Sequence, residues 1–237
     1  MPKIEITADG SHTLFSEMAG QTYHSSHGAI QESQYIFIDM GLKKAQLDVC
    51  LDQQDIVEAE KEATLAILEI GFGTGLNALL SAKFAFENRI KIDYTTIELY
   101  PLEVDVYKEL NYGKLLENEK LFLNLHATEW NSDFVEVTPS FSIRKYKRDI
   151  LDVLNKFEID ICGYDVVYFD AFSPEAQPEL WTESVFVNIY RLMNSGGVLT
   201  TYCAKGDVRR AMLAAGFKVE KLQGPPGKRH ILRAIKP

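Results

Sequence analysis

One stretch constrains this chain more than any other: Thr64-Leu-Ala-Ile-Leu-Glu-Ile-Gly-Phe-Gly-Thr-Gly-Leu-Asn77. A short aliphatic run closed by glycine is the pattern of a strand buried on both faces of a parallel sheet, so Leu65 to Ile70 is expected to be one. Gly71, Gly73 and Gly75 follow at every second position, where the missing Cβ lets the backbone turn sharply. Leu76 to Lys83 then has the composition of a helix. A strand entering a helix through such a turn gathers backbone N–H groups and the positive end of a helix dipole, which makes a cradle for a nucleotide-type ligand.

Strand and helix patterns alternate from there onward. Ile90 to Glu98, Phe141 to Lys147, Asp165 to Phe172 and Gly196 to Cys203 read as strands. Pro101 is expected to open a helix running through Val104 and Leu110, and further helices follow around Leu151 and Leu154, over Trp181 to Met193, and from Asp207 to a stop at Gly216. Residues 114–140 show no clear period. Phe217 to Leu222 and His230 to Ile235 pair across Gly224-Pro-Pro-Gly227 as a hairpin. This order predicts an α/β fold, a doubly wound Rossmann-like sheet that is mainly parallel with an antiparallel C-terminal hairpin. Ahead of it, Asp9-Gly10 marks a turn between Ile4 to Thr7 and Thr13 to Phe15, and a helix from Ile30, with Tyr35, Ile36 and Ile38 partly buried, is expected to stop at Gly41. Residues 42–63 are acidic and read as a solvated connection. Residues 1–60 are thus expected to form a small N-terminal extension packed on a core of residues 61–237.

Cys50, Cys162 and Cys203 have no CxxC spacing, which argues against a disulfide framework or a cysteine zinc site. His24 and His27 lack an acidic or thiol completion, so no metal is expected. There is no uninterrupted apolar window of ~18 residues and no signal-peptide pattern at the N-terminus, so a cytoplasmic protein without a membrane partner is expected. The net charge of −9 counts against a nucleic-acid partner, but its distribution is uneven: Cys203 to Pro237 carries nine Lys/Arg against only Asp207 and Glu220. With Arg144-Lys-Tyr-Lys-Arg148 upstream, both one basic face and scattered solvated charge fit the sequence.

The glycine turn admits two ligand classes. A dinucleotide fingerprint starting at Gly71 requires glycine at position 76, where this chain has Leu76. Glu69-x-Gly71-x-Gly73-x-Gly75 instead resembles motif I of class I S-adenosylmethionine-dependent methyltransferases. Glu98, Asp149 and Asp170 end the next three strands, at the sheet edge where ligands of open α/β folds sit. Each alone fits a helix cap equally well; four acids at four successive strand ends favour ligand contacts.

The resemblance then narrows. Asp9-Gly-Ser11, Tyr23 to Ser33, Leu68 to Asn77, Asp170-Ala-Phe-Ser-Pro-Glu-Ala-Gln-Pro-Glu-Leu-Trp181, Thr200 to Arg210 and Gly224 to Arg229 resemble the methyltransferase domain of the tRNA 5-methylaminomethyl-2-thiouridine biosynthesis bifunctional protein family. The resemblance implies a class I methyltransferase sheet, S-adenosyl-L-methionine as cofactor, and methylation of the exocyclic amine of 5-aminomethyl(2-thio)uridine at the wobble position of tRNA. It further implies the anticodon stem-loop as partner and a stand-alone form without the flavin oxidase half, whose aminomethyl substrate a separate enzyme must supply. Asp170 is the expected acceptor for the amine and its proton, and Phe172 the expected stacking surface for the base. Tyr23, Glu32, Glu69, Gly71, Phe72, Gly73, Gly75, Asn77, Glu98 and Asp149 are the expected cofactor contacts, with Tyr23 and Glu32 closing over its methionine end. Lys205, Arg209, Arg210, Lys228 and Arg229 are candidate phosphate contacts. The competing readings are a small-molecule amine methyl- or aminopropyltransferase, a non-catalytic tRNA- or cofactor-binding module, and a nicotinamide-dependent dehydrogenase.

Overall fold

The computed structural model describes residues 3–46, 64–156 and 163–237. Asp9 builds the first turn: its Oδ1 accepts from Ser11 N at 3.0 Å and from Thr7 Oγ1 at 2.7 Å, while Gly10 supplies the positive φ. The turn joins β1 (Lys3–Ile6) to β2 (His12–Ser16), antiparallel, and β3 (Gln21–Thr22) pairs with β2 to complete a three-stranded sheet. Helix α1 (Ala29–Ser33) then runs directly into a π-helical segment, Gln34–Leu42.

This segment corrects two expectations. Gly41 does not stop the helix. A Cβ there would stand 3.0 Å from Thr200 Oγ1, so the glycine allows the helix to approach the sheet closely. Ile36 and Ile38 are fully buried, together with Phe37, because the segment packs on the sheet. Most of the connection expected over 42–63 lies outside the described residues.

The core elements follow: β4 (Thr64–Ile70), α2 (Leu76–Asn88), β5 (Lys91–Glu98), α3 (Val104–Tyr107), α4 (Tyr112–Leu115), α5 (Glu119–Ala127), β6 (Val135–Thr138), β7 (Phe141–Lys147), α6 (Ile150–Lys156), β8 (Tyr164–Phe169), α7 (Glu183–Leu192), β9 (Met193–Thr201), α8 (Gly206–Ala214), β10 (Lys218–Gln223) and β11 (His230–Ile235). Pro101 precedes α3 but lies outside it, and the helix ends at Tyr107, before Leu110. The aperiodic stretch holds α4, α5 and β6.

The strands form one eight-stranded sheet in the order β10-β11-β9-β8-β4-β5-β7-β6. Neighbours from β9 through to β7 are parallel, and β6 pairs antiparallel with β7. The C-terminal hairpin forms as expected, but its antiparallel member is β11, inserted between β9 and β10; β10, at the edge, regains the common direction. The order runs outward from β4 on one side to β5 and β7 and on the other to β8 and β9. The sheet's switch point therefore lies between β4 and β8, where open α/β sheets leave a crevice at their carboxyl edge.

Strand alternation divides the core in two. Ile67, Tyr94, Val166 and Tyr168 face α2 and the π-helical segment, whereas Leu68, Ile70, Val167 and Phe169 face α6, α7 and α8. Each such fully buried aliphatic or aromatic side chain contributes about 1.5–3 kcal/mol. By the same parity Glu69 shares the α2 side with Ile67 and is fully buried there. Alternation also splits the basic run Arg144 to Arg148. Lys145 turns inward and is fully buried, while Arg144 stays on the other side with its guanidinium 4.4 Å from the Phe134 ring centroid. The run therefore does not add as a unit to a basic face.

Candidate active site

The carboxyl ends of the central strands open onto a cavity of about 470 Å³, within the size range of small-ligand sites. The glycine turn borders it. Gly71 has φ +91°, and a Cβ there would stand 2.9 Å from the Asp170 carbonyl oxygen, so only glycine lets the exit of β4 pass beside the exit of β8. Gly71 N donates to Ile97 O at 2.9 Å and Asp170 N to Ile70 O at 3.1 Å, which ties the turn to the strands on either side.

Glu98 ends β5 with both carboxylate oxygens engaged by backbone: Oε2 accepts from Gly73 N at 3.0 Å and Oε1 from Tyr100 N at 2.8 Å. Each oxygen keeps a lone pair for a ligand hydroxyl. Asp149 accepts from Leu151 N at 2.8 Å and so caps α6 while also lining the cavity.

Asp170 follows β8 directly. Its Oδ2 accepts from Asn77 Nδ2 at 2.9 Å. Burial pushes its carboxyl up to about 7, opposed by the Asn77 hydrogen bond; the charge of Glu32 adds to the rise and that of Lys228 opposes it. Three side chains hold the backbone just beyond: Tyr202 Oη donates to Ala171 O at 3.0 Å, Trp181 Nε1 to Phe172 O at 2.8 Å, and Gln177 Oε1 accepts from Phe172 N at 3.0 Å. The Phe172 ring meets Tyr23 edge-to-face, centroids 5.0 Å apart. Burial, with a smaller contribution from the charge of Glu98, pushes the Tyr23 phenol up to about 12, so it stays neutral.

The far wall joins both ends of the chain. Glu32 Oε2 accepts from Ser25 N at 2.8 Å, and Lys228 Nζ lies 3.1 Å from Glu32 Oε1 and 4.7 Å from the Tyr202 ring centroid. His24, noted in the sequence only as half of an incomplete metal pair, has its Nε2 2.7 Å from Thr74 Oγ1 and so locks the N-terminal segment onto the glycine turn. Burial holds its imidazole down to about 4, hence neutral. Among the described residues no group of three His, Cys, Asp or Glu is placed to hold a metal ion, and no helix is long and apolar enough to cross a membrane.

Several expected contacts stand elsewhere. Glu69 does not line the cavity: strand parity buries it beneath α2, where Oε2 accepts from Thr96 Oγ1 at 2.8 Å. Gly75 is also behind the wall, its φ +73° serving the entry to α2, and a Cβ there would stand 2.7 Å from His126 Nε2. Phe72 lies at the wall, but its ring packs against His126 and Trp130, with centroids 5.1 and 5.7 Å away. Lys228 belongs to the cavity. Lys205 pairs with Glu175 and Arg210 with Asp207, while Arg209 and Arg229 are exposed. The contributions of Tyr202, Gln177 and Trp181 had no separate signal beyond their place in the quoted segments.

The cavity's chemistry fits a nucleoside sulfonium. It offers a cradle that side chains would fill, a strand-end carboxylate with free lone pairs beside the turn, and aliphatic wall from Ile97, Leu99 and Ile150.

Comparison with known proteins agrees. A family profile described as S-adenosyl-L-methionine-dependent methyltransferase matches residues 117–237. The chain is 30% identical, over 98% of its length, to the tRNA 5-methylaminomethyl-2-thiouridine biosynthesis bifunctional protein MnmC of Aromatoleum aromaticum, and 29% identical, over 94%, to that of Nitrosospira multiformis. It spans 35% of the length of each of these relatives. The crystal structure of MnmC2 from Aquifex aeolicus superposes with a TM-score of 0.73 at 27% identity, covering 100% of this chain and 71% of that one.

Proposed function

Since the chain belongs to the family of S-adenosyl-L-methionine-dependent methyltransferases, we propose that it methylates the exocyclic amine of 5-aminomethyl(2-thio)uridine at the tRNA wobble position, giving 5-methylaminomethyl(2-thio)uridine. The observation that carries this reading is the state of Asp170: a cavity-wall carboxyl pushed up to about 7, with one oxygen fixed by Asn77 and Phe172 and Tyr23 edge-to-face beside it. The similarity to MnmC proteins over nearly the whole chain supports it.

When bound, the cofactor supplies an electrophilic methyl group on a sulfonium. Glu98 would hold its ribose hydroxyls, Asp149 its adenine amino group, and Tyr23 with Glu32 its methionine end. A primary alkylamine, with a pKa near the ~10.4 of lysine, enters mostly protonated and cannot attack in that state. Asp170 Oδ2 is committed to Asn77, which leaves Oδ1 to accept from the amine, orient its lone pair and take up its proton. The hydrogen bonds that Tyr202 and Trp181 donate and Gln177 accepts would keep that carboxylate and the Phe172 ring in register, as an in-line displacement demands. The aromatic pair offers a surface on which an extruded uracil can stack. Lys205, Arg209, Arg210 and Arg229 would meet backbone phosphates.

Labelled methyl transfer from S-adenosyl-L-methionine to tRNA carrying 5-aminomethyluridine tests this reading. Label in tRNA supports it. Label that appears only in free small-molecule amines, unaffected by added tRNA, would replace it with the amine methyltransferase reading.

A further inference from the structure

Beneath α2, Glu69 Oε1 and Asn77 Oδ1 are both buried and meet no hydrogen-bond donor among the described residues. Asn77 Nδ2 is committed to Asp170, and the Asn77 side chain also reaches Glu69. The arrangement thus places two carboxyl groups on one buried amide. The principal groups acting on Glu69 include no cation: from β5 it faces Thr96, which donates to Oε2, and the Tyr94 phenol, which also reaches the carboxyl group. The Tyr168 phenol, bonded to Ser81 at 3.1 Å, completes this face.

Two carboxylates sharing a dry site do not both ionise, and each unsatisfied buried polar atom costs about 1–3 kcal/mol. One proton resolves both difficulties. We propose that Glu69 is a neutral carboxylic acid whose O–H donates to Asn77 Oδ1, locking the amide so that Nδ2 points at Asp170 and keeps that carboxylate ionised. Glu69 is then a positioning residue, acting on Asp170 through Asn77, and the acidic member of the glycine motif serves the methyl acceptor's partner rather than the cofactor. Burial, the largest influence, holds the Glu69 carboxyl well above the usual range, and the nearby Asp170 adds to this. The opposite amide orientation, with Nδ2 on an ionised Glu69, would put the proton on Asp170 and leave it unable to accept from an amine.

The catalytic consequence rests on the role proposed for Asp170; the location of the proton does not. The infrared spectrum of the full chain at pH 8, without cofactor or tRNA, decides it. Expected is a C=O stretch of a protonated carboxylic acid that shifts on carboxyl-¹³C labelling of glutamate and is lost in Glu69→Gln. No such band, or one that responds to ¹³C-aspartate instead, overturns the proposal. Should Glu69→Gln fail to fold by circular dichroism, Asn77→Leu serves: the glutamate band moves to higher frequency as its acceptor is lost, and an unmoved band overturns the proposal. Kinetically, Asn77→Leu shifts the pH midpoint of turnover upward, because Asp170 loses a donor while Glu32, Lys228 and Tyr202 still face it. A midpoint that stays or falls overturns the coupling. Failure of methyl transfer to tRNA leaves the band, and hence this inference, untouched.

Discussion

Lys228 Nζ and Glu32 Oε1 stand 3.1 Å apart, joining the loop between β10 and β11 to helix α1 along one wall of the cavity. Only 10% of the Glu32 side chain is exposed, so removing its partner strands a nearly buried carboxylate. Lys228→Met is expected to lower unfolding stability by about 1–3 kcal/mol. Adding Glu32→Gln should recover part of that loss, because the stranded charge is gone. Urea unfolding of the four members of the cycle measures this; a coupling below about 0.3 kcal/mol would mean that the two residues act independently.

Asp170 makes turnover depend on pH. Its folded-state value of about 7 means that the carboxylate form grows as pH rises through neutrality, so turnover should climb along an acid limb centred near 7. Asp170→Asn should lower turnover by roughly 10²-fold or more and abolish that limb, with the circular dichroism spectrum retained. The stability sign is opposite. The folded-state value lies above the unfolded 3.8, so the favourable contribution of the protonated form is complete below the unfolded value and lost as pH rises to the folded one. Asp170→Asn should therefore be more stable than wild type at pH 8, by an amount that shrinks toward pH 4, as thermal unfolding at several pH values would show.

Gly75 and Gly196 both adopt positive φ, +73° and +79°, but only Gly75 is hemmed in, with His126 Nε2 at 2.7 Å from a built Cβ; nothing lies within 4 Å at Gly196. Gly196→Ala should carry only the backbone cost of about 1–2 kcal/mol. Gly75→Ala should cost clearly more and weaken binding of S-adenosylhomocysteine, since the turn cannot move without displacing His126. Equal losses in the two variants would argue against a tightly packed turn.

Lys145 donates to the carbonyls of Leu125 and His126 at 2.9 and 2.8 Å, closing the C-terminal end of α5 inside a box formed with Trp130 and Phe72. Burial holds its amine down to about 7, below the unfolded 10.5. Between those values the unfolded chain binds a proton that the folded chain does not, so stability rises with pH across that window. Wild type should gain on Lys145→Met between pH 7 and 9; parallel pH profiles for the two proteins would contradict this.

What was legible in the sequence follows from the range of the forces involved. The glycine turn and the individual strands of the parallel sheet showed because buried strands and tight turns leave local patterns, and Glu98, Asp149 and Asp170 showed because they sit at strand ends. Glu69 was placed at the cofactor because motif spacing does not say on which side of the turn an acid points; parity along β4 put it beneath α2. Lys145 looked like surface charge within a basic run, and alternation along β7 turned it inward. Gly41 looked like a helix stop, whereas its contact with Thr200 is made across the fold. The buried trio Phe122, Leu125 and His126 has helical spacing behind Asn118, a favoured N-cap type, but a helix of nine residues gives only a short run of that period.

Nucleoside analysis of tRNA after incubation with the protein and S-adenosyl-L-methionine tests the central claim most directly. The predicted result is conversion of 5-aminomethyl(2-thio)uridine to a nucleoside heavier by one methyl group on the amine, with wild type and not with Asp170→Asn. An unchanged 5-aminomethyl(2-thio)uridine peak with folded wild-type protein that binds S-adenosylhomocysteine would contradict it.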